Sequence, residues 1–243
     1  MTAQPNSAHP QALPSLVFAW MVHAYTASGA VLAFAMTLAT IRAQFRLAFL
    51  LMVVATLVDA TDGALARVAR VKERTPAFDG ARLDDIVDYL TFVFVPAFLI
   101  FEAGLLPRDW SAVIVAILLL SSAYGFSAAD AKTTDHFFTG FPSYWNIVAL
   151  YLYASHLPPA VNGVILLGLS VLVFVRIGYV YPSRTPVLRG LTIALCAIWG
   201  VMIVLIIVML PEVSRLLLLT SLFFPLYYVV LSLLLQRRRM RAA

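Results

Sequence analysis

The chain has 243 residues, 62% of them hydrophobic and only 12% charged, with a formal net charge of +5 and a mean hydropathy of +0.92. Soluble domains run at about 45–50% apolar and about 25% charged, so 17 basic and 12 acidic side chains cannot give a globule of this size a solvated surface. That excludes a soluble enzyme, a disordered chain and a nucleic-acid-binding module, despite a pI near 9.6. A single cysteine, Cys196, excludes an internal disulfide framework. Thirteen prolines and eleven glycines suit membrane helices better than barrel strands, which would alternate apolar with polar residues. The expected fold is all-α: one polytopic membrane helix bundle over residues 1–243, with the lipid bilayer as its solvent.

Residues 1–15 form an N-terminal juxtamembrane segment. The first forty-one residues carry no Lys, Arg, Asp or Glu, so the basic region of a cleaved signal peptide is missing and the first apolar run is expected to stay as a helix. A spanning helix needs roughly 20 apolar residues. Eight stretches meet or approach this: Leu16–Ile41, Leu47–Leu65, Ile86–Leu106, Trp110–Ala128, Ser143–Leu157, Val161–Tyr181, Val187–Leu210 and Leu216–Leu235. The fifth is short and is expected to begin earlier, near Phe137. Pro107, Pro142, Pro158, Pro182, Pro186 and Pro211 fall at or near the ends, where a missing N–H costs least. Residues 236–243 form a basic tail containing Arg237, Arg238, Arg239 and Arg241. With both termini in the cytoplasm, thirteen Lys and Arg residues lie inside and four outside (Arg42, Arg46, Arg108, Arg215).

Seven of the twelve acidic residues lie between Asp59 and Asp88. An ionisable group in a membrane segment costs about 2.5–3.5 kcal/mol on insertion scales, which makes this cluster a functional candidate. Asp59 and Asp62 are three apart at the end of the second stretch; Asp84 and Asp88 are four apart at the start of the third. Both spacings put a pair on one helix face, and a short connection lets the two pairs face each other. Four such carboxylates repel unless they protonate or hold divalent cations such as Mg²⁺ or Mn²⁺. Gly63 and Ala66 leave a groove on the same face, Arg67 can hold a phosphate bidentately, and Gly80 opens the third helix in the same way. The set implies a metal-bound diphosphate at a lipid–water boundary. The competing readings are interhelical hydrogen bonding and a cation path, but neither asks for glycines in register with the carboxylates. Asp85 points off this face, and Glu73 and Asp79 read as loop charges.

The pattern D-x-x-D-G-x-x-A-R … G-x-x-x-D-x-x-x-D, met by Asp59, Asp62, Gly63, Ala66, Arg67, Gly80, Asp84 and Asp88, resembles the signature of the CDP-alcohol phosphotransferases. The twelve-residue gap Val68–Asp79, the F-P-S-Y-W-N run at Phe141–Asn146 and the Y-V-Y-P-S-R-T run at Tyr179–Thr185 are similar to the bacterial phosphatidylcholine synthase branch. Ala60 departs from that branch, where glycine is expected. The resemblance implies a metal-dependent phosphatidyl transfer from CDP-diacylglycerol to choline, giving phosphatidylcholine and CMP. It implies Mn²⁺ (or Mg²⁺), two ions, held by Asp59, Asp62, Asp84 and Asp88, with Asp88 also the catalytic base. Gly63, Ala66, Arg67 and Gly80 would then bind the nucleotide and diphosphate. It further implies a homodimer in the bacterial inner membrane, with the active site at the cytoplasmic face.

Other features are more open. His23 and Thr26 in the first span read either as cytidine contacts or as an interhelical hydrogen bond. His9, His136 and His156 have no metal-ligand partner at suitable spacing and read as surface residues. Phe137, Phe138, Phe141, Tyr144 and Trp145, with Tyr124 and Tyr181 at similar depth, read as an interfacial aromatic belt. Alternatively, Tyr144, Trp145 or Tyr124 lines a cation–π site for choline. Rival functions are the same scaffold with serine or inositol as acceptor, and a divalent-cation transporter.

Overall fold

The computed structural model describes residues 13–128, 137–180 and 187–242. The expectations for His9, His136, Tyr181, Pro182 and Pro186 lie outside them, as do Lys132 and Arg184, two of the thirteen basic residues counted inside, and the side chains of Phe138, Arg238, Arg239 and Arg241. Helices α1 (Leu13–Ile41) and α2 (Phe45–Val68) come first, joined by three residues and packed along their length. A single turn, α3 (Val71–Arg74), leads to α4 (Gly80–Asp88). Asp79, read from sequence as a loop charge, caps α4: its carboxylate accepts the Arg82 N–H at 3.1 Å. Glu73, also read as a loop charge, lies in α3 and pairs with Arg70 at 4.0 Å.

Helix α4 continues through a π-helical turn (Tyr89–Phe94) into α5 (Val95–Glu102). Pro96 has no N–H to give the Phe92 carbonyl, and the widened turn lies directly ahead of it. There follow α6 (Ser111–Ser127), β1 (Phe137–Thr139), α7 (Trp145–Ser155), α8 (Pro159–Leu172), β2 (Gly178–Val180), α9 (Arg189–Met209), α10 (Arg215–Ser221) and α11 (Phe223–Ala242).

Each of the eight apolar stretches carries a helix, but among the described residues only four helices are long and apolar enough to cross a membrane: Pro14–Ile41, Phe45–Val68, Arg189–Met209 and Arg215–Arg237. The reasons are local. The third stretch begins inside the charged α4, and α7 has 11 residues, about 16 Å of rise. Two expectations are corrected here. The fifth stretch does not extend back as a helix to Phe137, and the sixth leaves the helix at Leu172 rather than Tyr181. Both flanks instead form an antiparallel ladder that pairs Phe137 with Val180 and Thr139 with Gly178. Gly140 allows it: φ is +81°, and a Cβ there would lie 2.1 Å from the Val173 carbonyl oxygen. The ladder docks on α11, where Ser232 Oγ accepts from Val180 N–H at 3.1 Å and Gln236 Oε1 from Gly178 N–H at 3.2 Å.

The core centres on Trp145, which is fully buried among residues such as Phe49, Leu99, Leu118 and Leu150. Its indole N–H donates to Ser122 Oγ at 2.7 Å, so the one polar atom of the ring is satisfied. Outside, Val31, Phe34, Leu120, Val164 and Leu216 are each 66–72% exposed, as side chains facing lipid tails are. At the end remote from Asp59, side chains cap loop carbonyls: Arg46 donates to Leu210, Asn162 to Leu105 at 2.9 Å, and His156 to Pro211 at 3.0 Å.

The contact of α1 with α4 is close enough to test. A Cβ on Gly29 would lie 2.4 Å from Val87 Cγ1. Gly29→Ala should therefore lower stability by about 1–3 kcal/mol, although a helical Gly→Ala exchange ordinarily gains about 1. Thermal unfolding in detergent should show Gly29→Ala/Val87→Ala to be more stable than Gly29→Ala alone.

Candidate metal centre

Asp59 sits in the second half of α2, while Asp84 and Asp88 share one face of α4. The structure brings these three together: one carboxylate oxygen from each lies within 4.8 Å of the other two, and all three residues are half-buried. At that separation two ionised carboxylates repel by about 3 kcal/mol at an effective dielectric of 20. An all-oxygen donor set at the end of two helices fits a hard divalent cation. Ligands on opposite sides of a Mg²⁺-sized ion stand about 4.2 Å apart, which a small side-chain rotation reaches.

Asp62 does not join the three. It is buried, and its Oδ2 accepts the Thr26 hydroxyl of α1 at 2.9 Å. Of the two sequence readings of Thr26, the structure realises the interhelical hydrogen bond.

His23 likewise holds protein rather than empty space. The Thr75 hydroxyl donates to the Val71 carbonyl at 2.8 Å, so it accepts from His23 Nε2–H, also at 2.8 Å. The imidazole packs on Phe78, with centroids 4.5 Å apart, and on Trp20 at 5.6 Å. Gly80 was expected to leave an opening, but a Cβ there would meet His23 Cε1 at 2.9 Å. The space that Gly80 spares is filled by His23. Arg74 adds a further tie from this connection to α1, donating to the Ser15 carbonyl at 3.2 Å.

The groove at Gly63 is different. The nearest atom to a Cβ there is Arg67 Nη1, at 3.6 Å, and Ala66 is half-buried beside it. Arg67 itself is exposed. This face of α2 thus has room for a ligand with a guanidinium at its edge. Asp85 is half-buried and outside the three-carboxylate group.

The aromatic candidates separate. Trp145 is a core residue with no ring face to offer, which corrects its reading as a cation-binding side chain. Tyr124 is 55% exposed and packs on Phe174 at 4.9 Å on the outer surface. Tyr144 is half-buried at the N-cap of α7, with its ring 6.3 Å from Tyr228. Tyr228 in turn stacks on Tyr179 at 6.0 Å. Sequence reading passed over Tyr228, which sits in an apolar run with nothing to mark it. Tyr179 was visible only as a member of the Tyr179–Thr185 run.

Known proteins resemble the chain over most of its length. A profile of the CDP-alcohol phosphatidyltransferase family matches residues 16–176, which include every carboxylate above. The chain is 40% identical over 214 residues to a phosphatidylcholine synthase of Legionella pneumophila, covering 85% of this chain and 84% of that protein. It is 41% identical over 193 residues to the phosphatidylcholine synthase of Pseudomonas aeruginosa, covering 79% and 81%. With that of Rhizobium meliloti it shares 34% over 184 residues, 76% of each chain.

If the three carboxylates act as one donor set, Asp84→Asn should weaken Mn²⁺ binding by about tenfold or more, read by electron paramagnetic resonance titration in detergent. Unchanged Mn²⁺ affinity in both Asp84→Asn and Asp88→Asn would place the ion elsewhere.

Proposed function

The chain belongs to the CDP-alcohol phosphatidyltransferase family, and we propose that within it the chain transfers the phosphatidyl group of CDP-diacylglycerol to choline, yielding phosphatidylcholine and CMP. The observation that carries this is the meeting of Asp59, Asp84 and Asp88 beside the open face of Gly63 and Arg67. Relatives named phosphatidylcholine synthase, similar over most of the chain, support choline over serine or inositol as acceptor. Family membership likewise sets the transporter reading aside.

Asp59, Asp84 and Asp88 are the residues to hold a divalent ion, Mn²⁺ or Mg²⁺, and Asp62, one turn along α2, adds a carboxylate for a second. When bound, such ions neutralise the diphosphate and stabilise the departing nucleotide as Lewis acids. The protein supplies the rest. The diphosphate lies along Gly63 and Ala66, where a side chain would intrude, and Arg67 binds its oxygens in a bidentate fork. The acyl chains stay in the bilayer beside α2. Asp88 accepts the proton of the choline hydroxyl as the choline oxygen attacks the phosphorus bearing diacylglycerol. The bond from that phosphorus to the CMP oxygen breaks, and CMP leaves with the electron pair.

The reading places the protein in the bacterial inner membrane as a homodimer, with both termini and the site at the cytoplasmic face. The excess of basic residues on that side, thirteen against four, supports this orientation.

The deciding experiment is choline-dependent release of CMP from CDP-diacylglycerol by the purified protein. EDTA should abolish it and Mn²⁺ restore it, while Asp88→Asn should lower kcat by at least about a hundredfold. Release that proceeds equally with serine, or without any acceptor, would refute the assignment. Gly63→Val should weaken CMP binding, measured by calorimetry, with the unfolding temperature unchanged; wild-type affinity would move the nucleotide off this face.

A further inference from the structure

Choline carries its hydroxyl two carbons from a quaternary ammonium that has no N–H to donate. A protein can hold that end only by aromatic faces and negative charge. Three tyrosines from separate parts of the chain converge on one place: Tyr144 at the N-cap of α7, Tyr179 in β2 and Tyr228 in α11. Tyr228 is the hinge of the group. Its ring stacks on Tyr179 at 6.0 Å and 16°, and meets Tyr144 at 6.3 Å and 62°, so Tyr144 and Tyr228 form a corner backed by a third ring. Both corner residues are half-buried, while Tyr179 is buried behind them.

The corner stands at the depth of the carboxylates. Asn146 Nδ2 donates to Thr56 Oγ1 at 3.3 Å, which fixes the level of α7 against α2. The two helices run in opposite directions: the far end of α7 bonds Pro211 through His156, beside Leu210, to which Arg46 at the start of α2 donates. Moving two residues back from Asn146 to Tyr144 rises about 3 Å toward the site. Moving three residues on from Thr56 to Asp59 rises about 4.5 Å the same way.

We propose that Tyr144 and Tyr228, backed by Tyr179, bind the quaternary ammonium of the acceptor. The assignment rests on the choline reading above and adds the residues that select this acceptor. Carboxylates at the same depth draw the cation in, and the ring faces prefer methyl groups to hydrogen-bonding amines.

The test uses the full chain in detergent with CDP-diacylglycerol. Tyr144→Leu and Tyr228→Leu should each raise the choline KM about thirtyfold, the worth of a desolvated cation–π contact, with kcat and the CDP-diacylglycerol KM close to wild type. Tyr144→Phe and Tyr228→Phe keep the ring and should stay within about threefold of wild type. A choline KM unchanged in the Leu variants overturns the proposal, and so do Phe variants as impaired as the Leu ones. Should the Leu variants fail to fold, judged by lost CMP binding, the wild type decides alone. There 3,3-dimethylbutan-1-ol, of choline's shape without its charge, should need at least tenfold more acceptor for half-maximal rate, and equal use of the two would overturn the cation site. A wild type that releases no CMP in response to choline refutes the acceptor assignment itself, whereas normal turnover with indifferent Leu variants refutes only the tyrosine corner.

Discussion

Carboxylates within 4.8 Å of one another push apart the helices that carry them, and the protein holds α2 and α4 together through a third helix. Successive turns of α1 present His23, Thr26 and Gly29 along one stripe. His23 fills the gap left by Gly80 and bonds Thr75; Thr26 bonds Asp62; Gly29 lets Val87 pack against bare backbone. Each turn uses a different device (ring packing, a hydrogen bond, a missing side chain), and each fixes one point of the two acidic helices. Register is thus set by groups that carry no charge.

The two ends of the bundle solve the backbone problem differently. In lipid every unpaired N–H and C=O is costly, so non-helical chain survives only where side chains or neighbouring backbone satisfy it. At the far end, Arg46, His156 and Asn162 cap single loop carbonyls. At the site end, the short β1–β2 ladder pairs its own backbone and takes two further partners, Ser232 and Gln236, from α11. The last helix therefore seats the strand that carries Tyr179.

What the sequence disclosed follows the range of the interactions involved. The acidic pairs were legible because i, i+3 and i, i+4 spacing on a helix is a local property, and the apolar stretches because lipid imposes them. The separation of Asp62 from the other three was hidden because its partner, Thr26, lies 36 residues earlier on another helix. Gly80 read as an opening because a missing side chain cannot reveal what fills its space. The ladder stayed hidden inside two apolar runs, since three strand residues are too few for alternation to show. Trp145 looked like one of five interfacial aromatics, but its position in the first turn of α7 aims it at Ser122 and the core.

The π-helical turn at Tyr89–Phe94 changes the phase of the rod that contains it. One additional residue in a turn rotates everything downstream by about 100° relative to an unbroken α-helix. Upstream, the Asp84–Asp88 face looks toward Asp59; downstream, Val95, Leu99 and Ile100 are turned wholly into the core. Had the α-helical phase continued, the stripe bearing the acids would have run on down the same side, and the buried apolar stripe would have faced another direction. The offset lets one continuous rod turn its acids toward Asp59 at one end and an apolar stripe into the core around Trp145 at the other, with α1 packed against both ends.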